Sequence, residues 1–301
     1  MNKLARKLVL SVLSVVLTVV ALGTTTFAWF TLTNTSVIQP FEAEIVADTG
    51  IEIAIGTPGI GDPVLLEWKT VLTTQDIYDF IDAAYPGGFQ FTHVSSTNGV
   101  SFTDLEGVGV TDGYLEIPLH FRSDNETEIN WTQVVVSSPT ASWITGVSFT
   151  DSLGNARVAG SSFSVNAADA VRVSVTGNIG GSNATTAYEN PVSEPARNTV
   201  LGGHTNETTA FLNGGIGANG STNYYYQVNN TLPTGSDDVT VVSTVTAISN
   251  TKVLDMVTNP VMPEALYYGV VTVRIWLEGW DGEAYNSLLG RVITTSLRFA
   301  A

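Results

Sequence analysis

No cysteine occurs anywhere in the 301 residues, which excludes disulfides, thiolate nucleophiles and cysteine-ligated metals. The fold must therefore be held by a buried core or by partners. Histidine is nearly as scarce. His93, His120 and His204 lie far apart and form no His-Glu-x-x-His pattern, so the usual helical zinc site is missing. Positive charge is also short: 12 Lys and Arg stand against 28 Asp and Glu, a formal net charge of −16. That balance repels nucleic acid and anionic membrane surfaces, so neither is expected as a partner. No Gly-x-Ser-x-Gly elbow occurs. Asp48-Thr49-Gly50 stands alone, without the second triplet that a shared-proton carboxylate pair needs, and reads as a turn between strands. These absences point away from an enzyme.

What is present begins with the address. Lys3, Arg6 and Lys7 precede Leu8–Leu22, an uncharged apolar run, and Gly23-Thr24-Thr25-Thr26-Phe27-Ala28-Trp29-Phe30 follows. A basic tip, an apolar core and a small residue at the boundary make a secretory signal, with cleavage expected between Ala28 and Trp29. Uncleaved, residues 8–32 would be the one membrane-contacting part of the chain. Either way the body is expected to be secreted or attached to the cell surface. Residues 1–28 hold three of the 12 basic residues and none of the 28 acidic ones. Without them nine basic residues face 28 acidic ones, a balance of −19.

The body has ample apolar material, with 44% hydrophobic residues, and its dominant pattern has period two. Phe41, Ala43, Ile45 and Ala47 share one face, with Glu42, Glu44 and Asp48 opposite. Ile51, Ile53 and Ile55 make a second short strand. Leu115, Ile117, Leu119 and Phe121 are expected inside, with Glu116, His120 and Arg122 outside. Val171, Val173 and Val175 oppose Arg172, Ser174 and Thr176. Val271, Val273, Ile275 and Leu277 alternate with Thr272, Arg274, Trp276 and Glu278. A last strand covers Val292–Phe299, and further β-rich pieces lie at Asn130–Val136, Trp143–Phe149 and Val239–Ile248. Many strands separated by Gly, Asn, Ser and Asp turns indicate an all-β, antiparallel sandwich.

One segment has helical spacing. Ile77, Phe80, Ile81 and Ala84 recur at three and four, Thr73 or Thr74 can cap the start, and Pro86-Gly87-Gly88 stops it. A single short surface helix is expected. Residues 178–238, crowded with Gly, Asn, Ser and Thr, read as an insertion in the one domain formed by residues 29–301. Tyr224-Tyr225-Tyr226 interrupts it as a strand or an anchoring contact.

Calcium is the one cofactor for which the sequence offers ligands. Asp237, Asp238, Glu278, Asp281 and Glu283 supply hard oxygens in or beside turns, though none fits a twelve-residue helix–loop–helix site. A solvated acidic turn is the plainer alternative. Asn-x-Ser/Thr triplets begin at Asn34, Asn125, Asn130, Asn183, Asn206, Asn219 and Asn229, in a chain whose composition produces many by chance.

With export signal and strands in place, the chain resembles the TasA/camelysin-like class of secreted surface proteins of Gram-positive bacteria and mollicutes. The residues that carry the likeness are Gly23–Phe30, Tyr114–Ser123 and Val273–Asp281. The glycine-rich insertion and the scarcity of lysine depart from the fibre-forming members. Some members are labelled zinc peptidases, a label that the scattered histidines do not support here. The resemblance implies a jelly-roll-like sandwich. It also implies extracellular filaments in which the N-terminal strand of one subunit completes the sheet of the next, by main-chain hydrogen bonds across an open edge. The implied donor is Trp29–Ala47, with Phe41, Ala43, Ile45 and Ala47 facing in. The leading expectation is thus a non-enzymatic structural protein of the cell surface or extracellular matrix that self-associates. The alternative is a monomeric adhesin or carbohydrate-binding sandwich that takes surface glycans through the insertion and its tyrosines.

Overall fold

The computed structural model describes residues 42–47, 50–56, 65–191, 220–235, 239–258 and 265–301. The signal segment, Ala28, Trp29, Phe41, Asp237 and Asp238 lie outside the described residues, as does most of the expected insertion. No helix among the described residues is long and apolar enough to cross a membrane.

In chain order, β1 (Glu42–Ala47), β2 (Glu52–Ile55) and β3 (Val71–Leu72) precede helix α1 (Thr74–Ala84). Three short strands, β4 (His93–Val94), β5 (Phe102–Thr103) and β6 (Gly109–Val110), lead to β7 (Leu115–Ser123) and β8 (Glu128–Ser137). Next come β9 (Ala141–Ile144), β10 (Phe149–Thr150), β11 (Ala156–Arg157) and β12 (Ser162–Val165), then the hairpin β13 (Val171–Ile179) and β14 (Ser182–Glu189). Helix α2 (Gly220–Asn229) is followed by β15 (Thr251–Asp255), β16 (Val257–Thr258), β17 (Tyr267–Glu278) and β18 (Thr294–Ala300).

Two main sheets face each other. One has the order β15-β8-β18-β1-β3, the other β14-β13-β17-β7-β2, with β4 and β16 pairing onto the ends of β17. The fold is the expected all-β sandwich. Its core follows from the period-two pattern: Leu115, Ile117, Leu119 and Phe121 are all buried, as are Val171, Val173, Val175, Val271, Val273 and Ile275. The facing sheet contributes Ile45, Ile129, Trp131, Leu297 and Phe299, and the Phe121 and Phe299 rings meet edge-on at 5.2 Å. Fully burying one such side chain contributes about 1.5–3 kcal/mol.

Four expectations need correction. First, β13 and β17 are covered on both faces, so Arg172, Ser174, Arg274, Trp276 and Glu278 are buried although they alternate with the core residues. The cover is the chain on either side of β5 and the stretch after Val239. Phe102 packs on Trp276 at 5.2 Å, Ser174 Oγ donates to Gly99 O at 2.7 Å, and the Val242 N–H donates to Ser96 O at 2.7 Å. Second, Asn178–Glu189 belongs to the β13–β14 hairpin rather than to an insertion. Its turn, Gly180-Gly181, has φ of +61° and +84°, the left-handed backbone that a two-residue hairpin loop needs. Third, Val239–Ile248 makes no named strand; Val245 alone bridges to Tyr188. Fourth, the described residues hold two α-helices, and the tyrosine triplet lies in the second. Helix α1 is as expected: Thr73 and Asp76 form a reciprocal capping box, and Ile77, Phe80 and Ile81 are buried.

Candidate functional site

Three places in the sandwich concentrate the residues on which function can rest. The first is the slot that holds β1. This strand runs parallel to β18, from Glu42 opposite Thr294 to Ala47 opposite Phe299. On its other side Ile45 and Val46 pair antiparallel with Leu72 and Val71, and the Ala47 N–H donates to Thr70 O at 2.9 Å. Ile45 and Ala47 are buried in the core, while Ala43 lies opposite Thr295. In the single chain this strand therefore fills a place in its own sheet. A strap of residues 69–72 closes the rim. It pairs with β1 on one side, and Lys69 exchanges two backbone hydrogen bonds with Ile53 of β2 on the other, at 2.7 and 2.9 Å. Lys69 Nζ meets Asp76 at 2.6 Å, which ties the strap to the capped start of α1. The hydrogen bond to Asp76 holds the Lys69 ammonium above its ordinary pKa.

The second place is the end of β17 and the turn that follows. Arg172, 3% exposed, meets Asp281 at 2.6 Å and Glu189 at 2.9 Å. Burial works against its charge, but Asp281 and Glu189 together hold the guanidinium above its usual value. Glu278 accepts from Trp276 Nε1–H at 3.0 Å and from the Trp280 N–H at 3.2 Å. Burial pushes its carboxyl upward. Asp281 Oδ1 accepts from the Glu283 N–H at 2.9 Å. The expected calcium cluster Glu278, Asp281 and Glu283 is thus corrected. Two of its carboxylates point into the interior and are taken up by Arg172 and the indole and backbone donors. Among the described residues no group of three or more His, Asp or Glu is placed to hold a metal.

The third place is a pocket of about 330 Å³ between α2 and the 279–289 segment. Helix α2 is seated on that segment by its first turn. The Ser221 N–H donates to Gly282 O at 3.0 Å, Ser221 Oγ to Asp281 O at 2.6 Å, and the Gly220 N–H to Ser152 Oγ at 2.9 Å. A Cβ at Gly220 would come 2.6 Å from Ser152 N, so the close approach requires glycine. Asn223 Oδ1 accepts from the Thr150 N–H at 2.9 Å. Tyr224 enters an aromatic cluster, 5.0 Å from Trp143 and 5.4 Å from Phe149. The anchoring role expected of the triplet is met by Tyr224, on a helix. Both Tyr224 and Tyr225 line the pocket, with Thr92, His93, Asn229, Trp280 and Asn286. His93 Nε2 is enclosed with no hydrogen-bond partner, and burial lowers its pKa to about 4. His120, expected on an open polar face, is hydrogen-bonded to the Tyr268 hydroxyl, and burial lowers it too to about 4.

Sequence reasoning missed Glu189 as a partner of Arg172, because nothing local marks a carboxylate 17 residues away as its neighbour. It also missed the pocket, whose walls come from four separate stretches of chain. No family model matches the chain, nor does any curated protein or solved structure.

Proposed function

We propose that the protein is an exported, non-enzymatic structural component of the cell surface or extracellular matrix, whose subunits join by exchanging β1. The observation that supports this reading is the position of β1. It is the first described strand, and it pairs in parallel with β18 in a sandwich whose long pairings are otherwise antiparallel. Only four residues separate it from β2, which belongs to the other sheet. A strand on so short a hinge can leave its own slot and enter the same slot of a second copy at nearly equal contact energy. The register with β18 and the core position of Ile45 are then recreated between molecules, and each subunit passes its strand onward. The polar residues Thr31–Ser36 ahead of the strand serve as a lead.

Electron microscopy tests this directly. A chain starting at Trp29 is expected to form filaments, and one lacking residues 29–47, and with them β1, to stay dispersed. Normal filaments from the shortened chain would overturn strand exchange.

A further inference from the structure

We propose that the pocket between α2 and the 279–289 segment binds a neutral saccharide, with Tyr225 supplying aromatic surface and Thr92 and Asn286 supplying hydrogen-bonding groups. The inference is independent of strand exchange and starts from what the walls contain. Among the described residues the lining has no Asp, Glu, Lys or Arg, and Glu106 outside it lies close enough to act on the Tyr225 hydroxyl, in a chain whose net charge is −16. A phosphate or a carboxylate would find no positive counter-charge there, and stripping such an ion of water without one is costly. The volume, about 330 Å³, falls within the range of small-molecule sites and is too small for a length of folded partner.

The polar groups are also uncommitted. Thr92, Tyr225 and Asn286 make no side-chain hydrogen bond among the described residues, whereas neighbouring Ser221 is used to seat α2. A purely apolar ligand would leave those donors and acceptors dry and unpaired, at a cost of about 1–3 kcal/mol each. A ligand with both a hydrocarbon face and several uncharged hydroxyl or amide groups matches aromatic and amide walls together. A sugar ring is the common biological molecule of that description. His93 fits the same chemistry. With its pKa lowered to about 4 it is neutral at pH 7 and adds no charge to the wall.

Isothermal titration calorimetry on the purified protein, with cellotriose, tri-N-acetylchitotriose and trigalacturonic acid as probes, tests the assignment. At least one of the two neutral trimers is expected to bind at concentrations below about 5 mM, and the acidic trimer to give no heat. Tyr225→Ala and Asn286→Ala should each weaken that binding about tenfold while leaving the circular dichroism spectrum unchanged. Failure of both neutral trimers, preference for the acidic one, or binding indifferent to both substitutions would each overturn the proposal. Filament formation by the same variants should be unchanged, which separates this site from the β1 slot.

Discussion

Replacing Arg172 by methionine removes a cation that serves two interior carboxylates. Asp281 and Glu189, each 1% exposed, meet its guanidinium at 2.6 and 2.9 Å, so neither can recover its hydration by turning outward. Breaking a buried ion pair from one side typically costs about 3–5 kcal/mol, because a charge is left uncompensated. Against a whole-domain stability of about 5–15 kcal/mol, that is a large fraction. Urea unfolding followed by tryptophan fluorescence at pH 7 should show the loss as a lowered midpoint. Two controls give the number meaning. At pH 5 the deficit should shrink, since stranded carboxylates protonate rather than stay charged in a dry interior. The triple variant R172M/E189Q/D281N should recover at least half of the loss, because the polar groups that remain carry no charge. A deficit under about 1 kcal/mol, or a triple variant no better than the single one, would show that water reaches this cluster and that its charges are not interior.

Three further outcomes are expected. Gly177→Ala would place a Cβ 2.1 Å from Val253 O and 2.9 Å from Val271 Cγ1, so a loss of at least about 1–3 kcal/mol should appear in the same urea assay. Thr73→Ala removes the hydroxyl half of the α1 capping box and should cost about 1 kcal/mol, read as a lower melting temperature in calorimetry. The low pKa of His93 means that the unfolded chain takes up the proton first. Its contribution is therefore present above pH 6.5 and is lost as pH falls from 6.5 toward 4, by at most about 2 kcal/mol at pH 5. His120 shifts in the same direction, so comparing urea midpoints at pH 7 and 5 for His93→Gln and the parent isolates the first histidine; an unchanged pH slope would refute the assignment.

Most of the sandwich was legible because a half-buried strand writes its two faces as alternation. In β7 every inward position of the pattern is buried, and helix α1 announced itself by spacing, cap and stop. The reading weakened where alternation meets a second cover. In β17 the pattern assigns Trp276 and Glu278 to a polar face, but that face is roofed by Val94 and Phe102, which come from some 180 residues earlier. Helix α2 was hidden for a different reason. Its sequence, Gly-Ser-Thr-Asn-Tyr-Tyr-Tyr-Gln-Val-Asn, has poor helix formers and no apolar stripe, and contacts with the turn beneath it fix the conformation. The pocket inherits that invisibility, since one of its walls is this helix.

The segments behind the family resemblance can now be weighed by what they do. Tyr114–Ser123 is β7 with its lead-in residue, and Val273–Asp281 is the end of β17 with Asp281, one of the two buried acids that hold Arg172. Both supply mainly core residues, although every second residue of β7 is half-buried and Gly279 and Trp280 also line the pocket. A chain that kept this core and lost every outward function would keep the same residues. Those two segments therefore carry information about the sandwich, and self-association must be judged elsewhere. The place is β1, where the first described strand, a short hinge and a slot shared by a two-residue rim strand meet. The neutral pocket at the other functional locus shares none of its residues with that slot. The proposed assembly and the proposed saccharide binding can consequently be tested one at a time, and a variant that loses both at once would place the two loci under a common structural control that the geometry does not contain.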